Sequence, residues 1–305
     1  MTTIRVATRG SLLARTQTGH VIEALQQIHP SHTFETEIFK TVGDRVLDVA
    51  LSQIGGKGLF TKELEEALLE NRADLAVHSL KDLPTELPEG LVVGCIPERE
   101  DPRDALVSRE GLDLMALPEG AKVGTSSLRR LAQLRALRPD LQFVSIRGNV
   151  DTRLRKMGDG EVDALIMAAA GLHRAGFAER ITAYLEPEVC LPAPGQGALA
   201  IEIRATDGAT GQILAPLHHF PTAQAVLAER ALLAKLQGGC QVPIGAHAVL
   251  EGDFLHLEGL IAAVDGSQVL RWEAEGPVHR ARALGEQVAD ALLARGGQQI
   301  LDALR

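Results

Sequence analysis

The stretch Val6-Ala-Thr-Arg-Gly-Ser-Leu12 recurs in outline at Val123-Gly-Thr-Ser-Ser-Leu128. Each copy predicts a short strand, a turn of small residues, a serine that caps a helix, and then the helix itself. If the two regions face each other, two helix N-termini converge, and each attracts anions through its free N–H groups and its dipole. The recurrence therefore predicts two similar α/β lobes.

Outward from these stretches, short β-branched runs alternate with amphipathic helical runs, which is typical of open α/β sheets with parallel strands. The charged segment 97–103 and the Pro- and Gly-rich segment 191–197 interrupt the pattern, and we interpret them as two crossings between lobes around a hinged cleft. A strand at 199–204 could return to the first sheet. The predicted domains are lobe 1 at 1–97 with 198–216, lobe 2 at 103–192, and a small α+β C-terminal domain at 220–305.

The composition is that of a globular chain, with 305 residues, 45% hydrophobic content and a net charge of -9. The acidic balance and the low aromatic content of 3% disfavour nucleic-acid binding, which needs a basic surface or exposed rings. No window approaches the roughly 18 apolar residues of a membrane helix. Because the N-terminus also lacks an apolar signal core, we expect a cytoplasmic protein with no membrane partner.

Positive charge is concentrated in segment 126–156, which carries eight basic and two acidic residues. A solvated helix face is the simpler explanation, but several of these arginines lie at two predicted strand-to-helix junctions. Their planar guanidinium groups suit carboxylate or phosphate. Consecutive Arg129 and Arg130 diverge by about 100° on a helix, so we expect them to bind different groups. Together with Arg9 and Ser11, the segment predicts a ligand that bears several carboxylates.

Other polar residues follow a predicted buried strand. Lys81 and Asp82 lie just past it, where open α/β sheets usually contact ligands, although a Lys–Asp pair in a loop is more often solvated. His78 lies on the strand and is expected in the interior. Segment 55–58, Gly-Gly-Lys-Gly, lacks the spacing of a phosphate loop and fits a mobile loop that carries Lys57.

The three cysteines have no CxxC spacing and predict neither a disulfide framework nor a zinc site, and we expect no metal. Cys95 and Cys190 lie at apolar strand ends, where a cysteine is usually a small buried hydrophobe. Cys240 lies between glycines in segment 237–245, so a reactive thiolate is plausible there.

Eight segments, in order and over nearly the whole chain, resemble the hydroxymethylbilane synthase (porphobilinogen deaminase) family. The segments are ATRGSLLA (7–14), GGKGLFTKELE (55–65), AVHSLKDLPT (76–85), PRDAL (102–106), VGTSSLRR (123–130), RGNVDTRL (147–154), PAPGQGALAIE (192–202) and GGCQVPIGA (238–246).

The resemblance implies an α/β fold with two periplasmic-binding-protein-like lobes of type II, built on mixed sheets around a hinged cleft, plus a small α+β C-terminal domain. It also implies a transferase of the EC 2.5.1 type. This enzyme would deaminate four porphobilinogen molecules and join them head to tail into the linear tetrapyrrole hydroxymethylbilane, using a covalently bound dipyrromethane primer. A monomer is implied as well.

The resemblance further implies the roles of individual residues. Cys240 matches the cysteine that carries dipyrromethane through a thioether, and Asp82 matches the catalytic aspartate. The other implied roles are cofactor binding by Lys81, Thr125, Ser127, Arg129 and Arg130, substrate binding by Arg9, Ser11, Arg147, Arg153 and Gln196, and lid function for Lys57 and Phe60.

Rival functions remain open on the residues alone. A non-enzymatic two-lobed carboxylate-binding protein would use the same arginines, but it gives no role to Cys240 or Asp82. A cysteine-dependent hydrolase would use Cys240, yet no His–Asn or His–Asp partner is identifiable by motif.

Overall fold

The computed structural model describes residues 3–41, 58–238 and 242–304. The chain forms two compact units, and each is described by itself below. The first unit comprises residues 1–100 and 198–223, and the second comprises residues 101–197 and 224–305.

The strands of the described residues are β1 Thr3–Arg9, β2 Thr33–Phe39, β3 Leu75–Ser79, β4 Leu91–Cys95, β5 Asp104–Ser108, β6 Lys122–Gly124, β7 Gln142–Val144, β8 Ala164–Ala168, β9 Ala183–Leu185, β10 Leu199–Arg204, β11 Ile244–Glu251, β12 Phe254–Ala262 and β13 Val269–Pro277. The α-helices of the same residues are α1 Leu12–Ile28, α2 Lys62–Leu69, α3 Leu128–Leu137, α4 Val150–Gly158, α5 Ala169–Arg174, α6 Gly208–Leu214, α7 Phe220–Lys235, α8 Ala281–Leu292 and α9 Gln298–Asp302.

The first unit is built on a five-stranded sheet with the order β2-β1-β3-β10-β4. Strand β1 pairs in parallel with β2 and β3, whereas β10 runs antiparallel to both β3 and β4. Successive residues of β3 point to opposite faces. Leu75 and Val77 pack with α1 residues such as Leu25, while Ala76 packs with α2 residues such as Leu64.

The second unit contains a five-stranded sheet with the order β7-β6-β8-β5-β9. Strand β6 pairs in parallel with β7 and β8, and β5 is antiparallel to β8 and β9. The same unit contains the antiparallel sheet β11-β12-β13. Helices α7 and α8 supply Leu232 and Val288 to the apolar core of this smaller sheet.

Serine side chains cap the N-termini of α1 and α3, as the recurring pattern of strand, turn, serine and helix predicts. Ser11 Oγ accepts a hydrogen bond from Ala14 N at 3.3 Å, and Ser127 Oγ accepts one from Arg130 N at 3.5 Å. Each bond satisfies one N–H group that has no partner inside its helix. Local sequence therefore determines both strand-to-helix junctions.

The predicted fold class is confirmed. Two sheets of mixed strand direction combine with helices, as in α/β proteins, and a separate small antiparallel sheet combines with helices, as in an α+β fold. The expected return of 199–204 to the first sheet is also confirmed. The mixed sheets that the resemblance implied are observed, because β5 and β10 pair antiparallel with their neighbours, whereas β1 and β6 pair in parallel with theirs. Strand β2 was missed because it is an edge strand whose side chains are mostly exposed, and so it shows no apolar pattern.

The division into three domains stays a prediction, because the second compact unit contains both the predicted second lobe and the C-terminal region. Within this unit, Leu191 and Ala132 pack against Leu260 of β12. Arg271 Nη1 also donates a hydrogen bond to the carbonyl of Pro187 at 3.1 Å.

Two helical glycines should respond in opposite ways to alanine. In α8, a Cβ on Gly285 would overlap the carbonyl oxygen of Ala228 and lie 2.8 Å from Ala231 Cβ, whereas nothing lies within 4 Å of a Cβ on Gly19 in α1. We expect Gly285→Ala to lower the free energy of unfolding by about 1–3 kcal/mol through overpacking. Gly19→Ala should raise it by about 0.5–1 kcal/mol because alanine favours helix. Urea denaturation followed by circular dichroism measures the free energy of unfolding of both variants. If the two substitutions changed it by the same amount and in the same direction, the close contact of Gly285 on α8 with the backbone of α7 would be contradicted.

Candidate active site and cofactor-binding residues

In the second unit, the turn between β6 and α3 places two arginines in the first turn of the helix. Thr125 is buried, and its Oγ1 accepts a hydrogen bond from Ser127 N at 3.2 Å. Ser127 then caps α3, so Arg129 and Arg130 lie at a helix N-terminus. The predicted strand-to-helix junction therefore exists, with both arginine side chains buried, and its binding of an anion stays a prediction.

Both arginines are bound to one carboxylate, that of Asp104 on β5. Arg129 Nη1 lies 2.7 Å from Asp104 Oδ2, and Arg130 Nη2 lies 2.7 Å from Asp104 Oδ1. Asp104 is 0% exposed. Burial alone would raise the pKa of Asp104, but the two guanidinium groups more than offset it and hold the pKa well below its ordinary value.

This arrangement corrects the expectation that the consecutive arginines contact different groups. Both side chains extend toward the same strand. Arg129 Nη1 also donates to the carbonyl of Leu191 at 2.6 Å, and Arg130 Nη1 donates to the carbonyl of Ile166 at 3.1 Å. Arg129 Nε is buried with no hydrogen-bond partner among the described residues. A role of both arginines toward the cofactor stays a prediction.

Gln196 also supports Asp104. Its side-chain amide donates to Asp104 Oδ1 and to the carbonyl of Pro102, each at 2.8 Å, and the residue is 1% exposed. The sequence suggested direct substrate binding by Gln196. In the structure this side chain is instead bound to Asp104, the carboxylate that holds the two arginines. Contact of Gln196 with substrate stays a prediction.

Arg147 and Arg153 form a cationic group with Arg130. Arg153 Nε donates to the carbonyl of Gly148 at 2.8 Å. Burial, together with the positive charges of Arg130 and Arg147, lowers the pKa of Arg153 to about 10. Arg147 Nη1 is buried without a hydrogen-bond partner among the described residues. Three neighbouring guanidinium groups, one of which has a buried nitrogen without a hydrogen-bond partner, are suited to an anionic ligand.

Gly148, between Arg147 and α4, is required for the backbone conformation at this point. Gly148 adopts φ 118°, which L-residues rarely adopt, and a Cβ there would meet Thr152 Cγ2 at 2.6 Å. Its carbonyl is the acceptor that orients Arg153.

The first unit brings together a second set of predicted residues. Arg9 ends β1, and its guanidinium lies 4.3 Å from the centre of the Phe60 ring, a cation–π contact. Asp82 is exposed at the end of the 3-10 turn Leu80–Asp82, directly after β3, and Lys81 beside it is half-buried. Phe60 lies in a turn before α2 rather than in the helix. A small pocket here is lined by Arg9, Ala14, Gln17, Phe60, Thr61, Val77, His78, Ser79 and Asp82.

The interior position predicted for His78 is confirmed. The residue is 5% exposed, and its Nε2 lies 2.9 Å from Oε2 of Glu202 on β10. Cys95 and Cys190 are both buried, as expected, and burial raises the pKa of each thiol to about 12. Neither is a reactive thiolate at neutral pH.

Two predicted site residues, Cys240 and Lys57, lie outside the described residues. Among the residues that are described, no group of three or more His, Cys, Asp and Glu side chains could hold a metal ion. None of the helices in these parts of the chain is long and apolar enough to cross a membrane.

Sequence reasoning missed Asp104 and Glu202. Asp104 lies inside the motif PRDAL, and its position at the start of an apolar strand was a usable signal, since a buried carboxylate needs a partner. Glu202 lies likewise in the otherwise apolar strand β10. In both cases the partner is distant in sequence, so only the tertiary structure identifies it.

Comparison with known proteins decides the family. The family model "Porphobilinogen deaminase, dipyromethane cofactor binding domain" matches residues 4–212, and "Porphobilinogen deaminase, C-terminal domain" matches residues 223–294. The chain belongs to the porphobilinogen deaminase family.

Curated relatives agree over nearly the full length. The porphobilinogen deaminase of Syntrophobacter fumaroxidans is 52% identical over 299 residues, covering 98% of this chain and 97% of the relative. That of Pelobacter propionicus is 54% identical over 299 residues, covering 98% and 96%. Among solved structures, the substrate-binding domain of a putative molybdenum ABC transporter from Clostridium difficile has a TM-score of 0.45 at 12% identity, covering 75% of this chain and 97% of that one. Similarity at that level carries no functional information.

Asp104→Asn should destabilise the second unit strongly, because it leaves two buried guanidinium groups without their counter-ion. We expect the free energy of unfolding to fall by about 3–5 kcal/mol. Urea denaturation followed by the fluorescence of Trp272, the single tryptophan, reports on this unit. Asp163→Asn is the matched control, because Asp163 forms a half-exposed pair with Arg109 and should cost less than about 1 kcal/mol.

The stability that Asp104 contributes to the wild type, and that Asp104→Asn lacks, depends on pH. Because folding lowers the pKa of Asp104, its contribution to stability is present above the ordinary value of 3.8 and is lost as the pH falls toward the folded-state value. The difference in the free energy of unfolding between the wild type and Asp104→Asn should therefore become smaller as the pH falls below that value. A difference that stays constant down to the acid transition would contradict the ion pair.

Proposed function

We propose that this protein deaminates four porphobilinogen molecules and joins them head to tail into hydroxymethylbilane, as a cytoplasmic, monomeric transferase of the EC 2.5.1 type. Membership of the porphobilinogen deaminase family supports the enzyme over a non-enzymatic carboxylate-binding protein. The structural observation that carries the proposal is the group Arg130, Arg147 and Arg153, which concentrates positive charge in a chain of net charge -9. Each pyrrole unit of the substrate bears an acetate and a propionate, which such a group would bind.

The arrangement fits a dipyrromethane cofactor attached through a thioether to Cys240. Two pyrrole rings carry four carboxylates, and the unfilled Arg147 Nη1 with the neighbouring Arg153 is a donor set of opposite charge that could bind some of them. When bound, the cofactor supplies a pyrrole carbon as the primer from which the chain is extended. Arg129 and Arg130, already oriented by Asp104, would add fixed positive charge at the N-terminus of α3.

Asp82 is proposed as the catalytic residue. Loss of ammonia leaves positive charge on the substrate pyrrole, and a carboxylate about 4 Å away stabilises a unit charge by roughly 4 kcal/mol at an effective dielectric of about 20. That corresponds to a rate factor on the order of a thousand. The exposed position of Asp82 at the end of its turn keeps this carboxylate accessible to a ligand in the pocket it lines.

Arg9 would hold a substrate carboxylate in the same pocket. Its guanidinium carbon lies 4.3 Å from the centre of the Phe60 ring, and this cation–π contact would hold the group beside the pocket, where it could donate hydrogen bonds to a carboxylate. The remaining proposed roles are cofactor binding for Lys81, Thr125 and Ser127, substrate binding for Ser11 and Gln196, and lid function for Lys57 and Phe60.

The mass of the purified protein tests the covalent cofactor. We expect the 32.6 kDa chain to carry two additional pyrrole units in the wild type and nothing in Cys240→Ala. Cys95→Ala is the control and should keep the added mass, because Cys95 is buried. Full activity of a wild-type protein that has the mass of the bare chain would refute the proposal.

Arg147→Gln should separate stability from activity. In the cofactor-free Cys240→Ala background, removing the half-buried guanidinium of Arg147, whose Nη1 is buried and unfilled, relieves its repulsion with Arg153, so the thermal midpoint should rise by on the order of 2 °C. In the otherwise wild-type protein the same change should stall elongation at an intermediate pyrrole count, as seen by intact mass. Arg155→Gln, on the exposed side of α4, should change neither. An unaltered mass ladder in Arg147→Gln would count against the role of this residue.

A further inference from the structure

A short segment of the second unit is hydrogen-bonded to the ion cluster around Asp104. We call this segment, residues 191–196, the connector. At its start, the carbonyl of Leu191 accepts a hydrogen bond from Arg129 Nη1 at 2.6 Å, and at its end the side-chain amide of Gln196 donates to Asp104 Oδ1 at 2.8 Å. The connector is therefore attached at both ends to the residues that hold the arginine pair.

Strand β11 contacts the connector directly. Ala246 N donates a hydrogen bond to the carbonyl of Pro192 at 2.9 Å. The two backbones approach closely at Gly245, where a Cβ would lie 3.0 Å from the carbonyl oxygen of Leu191 and 3.2 Å from that of Pro192. A glycine inside a strand often marks such a close approach of another backbone. The start of β11 is thus packed against the connector with little room for a side chain at residue 245.

Glu229 on α7 bridges the same two elements with its side chain. Its Oε2 accepts a hydrogen bond from Gly195 N of the connector at 2.6 Å, and its Oε1 accepts one from Ala248 N of β11 at 2.8 Å. Glu229 is 0% exposed. Buried backbone N–H groups need an acceptor, and each oxygen of this carboxyl group serves one of them. A glutamine has a single acceptor oxygen and could serve only one of the two.

The two elements that Glu229 joins to the connector also flank Cys240 in the sequence. Segment 236–243, which includes Cys240, links the end of α7 to the start of β11. Glu229 lies on the helix before this segment, and Ala248 lies on the strand after it. The carboxyl group therefore ties both flanks of the Cys240 segment to the connector, and through the connector to the arginine pair.

A ligand attached covalently to a protein reaches only those groups whose distance from the attachment point suits its length. Its reacting end must also be held in a defined position, because proximity and orientation contribute strongly to the rate. Elements that fix the attachment point relative to the binding groups therefore act on the ligand without touching it.

We propose that Glu229 is a positioning residue, which holds the flanks of Cys240 at a fixed distance from Arg129 and Arg130 so that the cofactor carboxylates lie near the positive charge of these arginines. The proposal rests on the proposed function, since it requires dipyrromethane on Cys240. Glu229 acts only through backbone hydrogen bonds, and no covalent bond is made or broken at this residue.

The thermal midpoint of four proteins tests this role without turnover. The proteins are the wild type, Cys240→Ala, Glu229→Gln and the double variant. Because the cofactor carboxylates meet the arginines only in the folded protein, the wild type should have a higher midpoint than Cys240→Ala. Glu229→Gln should reduce this difference by about half or more, since such a cycle isolates the coupling between two positions. If Glu229→Gln lowered the midpoint equally with and without the cofactor, its role would be structural only and the proposal would be overturned.

Val288→Ala is the matched control for these measurements. Val288 lies on α8 in the apolar core of the small sheet and is 0% exposed. Its truncation leaves a cavity and destabilises the same unit without removing a hydrogen-bonding group. The midpoint should therefore fall by the same amount with and without the cofactor.

Turnover of porphobilinogen gives a second readout. Displacement of a reacting group by on the order of 1 Å can cost about a hundredfold in rate. Substrate binding by Arg9 belongs to the first unit, which Glu229 does not contact through these hydrogen bonds. In Glu229→Gln we expect kcat to fall by about tenfold or more and KM to change by less than about threefold, whereas Val288→Ala should keep both constants near those of the wild type. A kcat of Glu229→Gln within about twofold of the wild type would overturn the proposal.

Gly245→Ala is the second variant, and it replaces Glu229→Gln if that protein does not fold or lacks the added mass of the cofactor. The new Cβ would push β11 away from the connector and removes no hydrogen-bonding group. It should therefore also reduce the difference in midpoint that the cofactor makes. An undiminished difference would overturn the proposal.

Failure of the two proposals can be told apart. A wild type that carries no added mass, or that does not consume porphobilinogen, refutes the proposed function. A wild type that carries the cofactor and is active, combined with equal effects of Glu229→Gln with and without the cofactor, refutes only the positioning role.

Discussion

The second unit depends on the pairing of Asp104 with Arg129 and Arg130. A carboxylate with no exposed surface is tolerated only because two guanidinium groups and one amide surround it. In return, Asp104 draws both arginines back from the helix terminus toward β5. The same ion cluster joins three parts of the chain, namely β5, the start of α3 and the segment near Gln196. Removing the carboxylate would leave two charges in the protein interior with no counter-ion.

The arginines of this unit differ in whether protein groups satisfy them. Arg129 and Arg130 share the carboxylate of Asp104 within the fold, whereas Arg153 lies near Arg147 and donates to the backbone carbonyl of Gly148. Unfilled guanidinium donors and a ligand with several carboxylates satisfy each other, which is the physical basis of the proposed site.

The first unit shows the opposite electrostatic condition. Its buried charge is acidic, carried by Glu65 and Glu202 beneath a pocket whose wall includes Arg9 and Asp82. Glu202 is paired with His78, whose Nε2 lies 2.9 Å from its Oε2. A buried carboxylate needs such a partner, because an unpaired ion is costly to remove from water.

Local signals in the sequence determined both strand-to-helix junctions, the caps at Ser11 and Ser127, and the alternation that defines the α/β class, because caps and periodicity act over a few residues. The edge strand β2 escaped notice because an exposed strand has no apolar period. The tertiary structure alone decided that Arg129 and Arg130 share Asp104, and that His78 meets Glu202. Those partners are separated by 25, 26 and 124 residues, so no spacing in the sequence identifies them. The pairing of β3 with β10 brings His78 to Glu202, and the position of α3 relative to β5 brings the two arginines to Asp104.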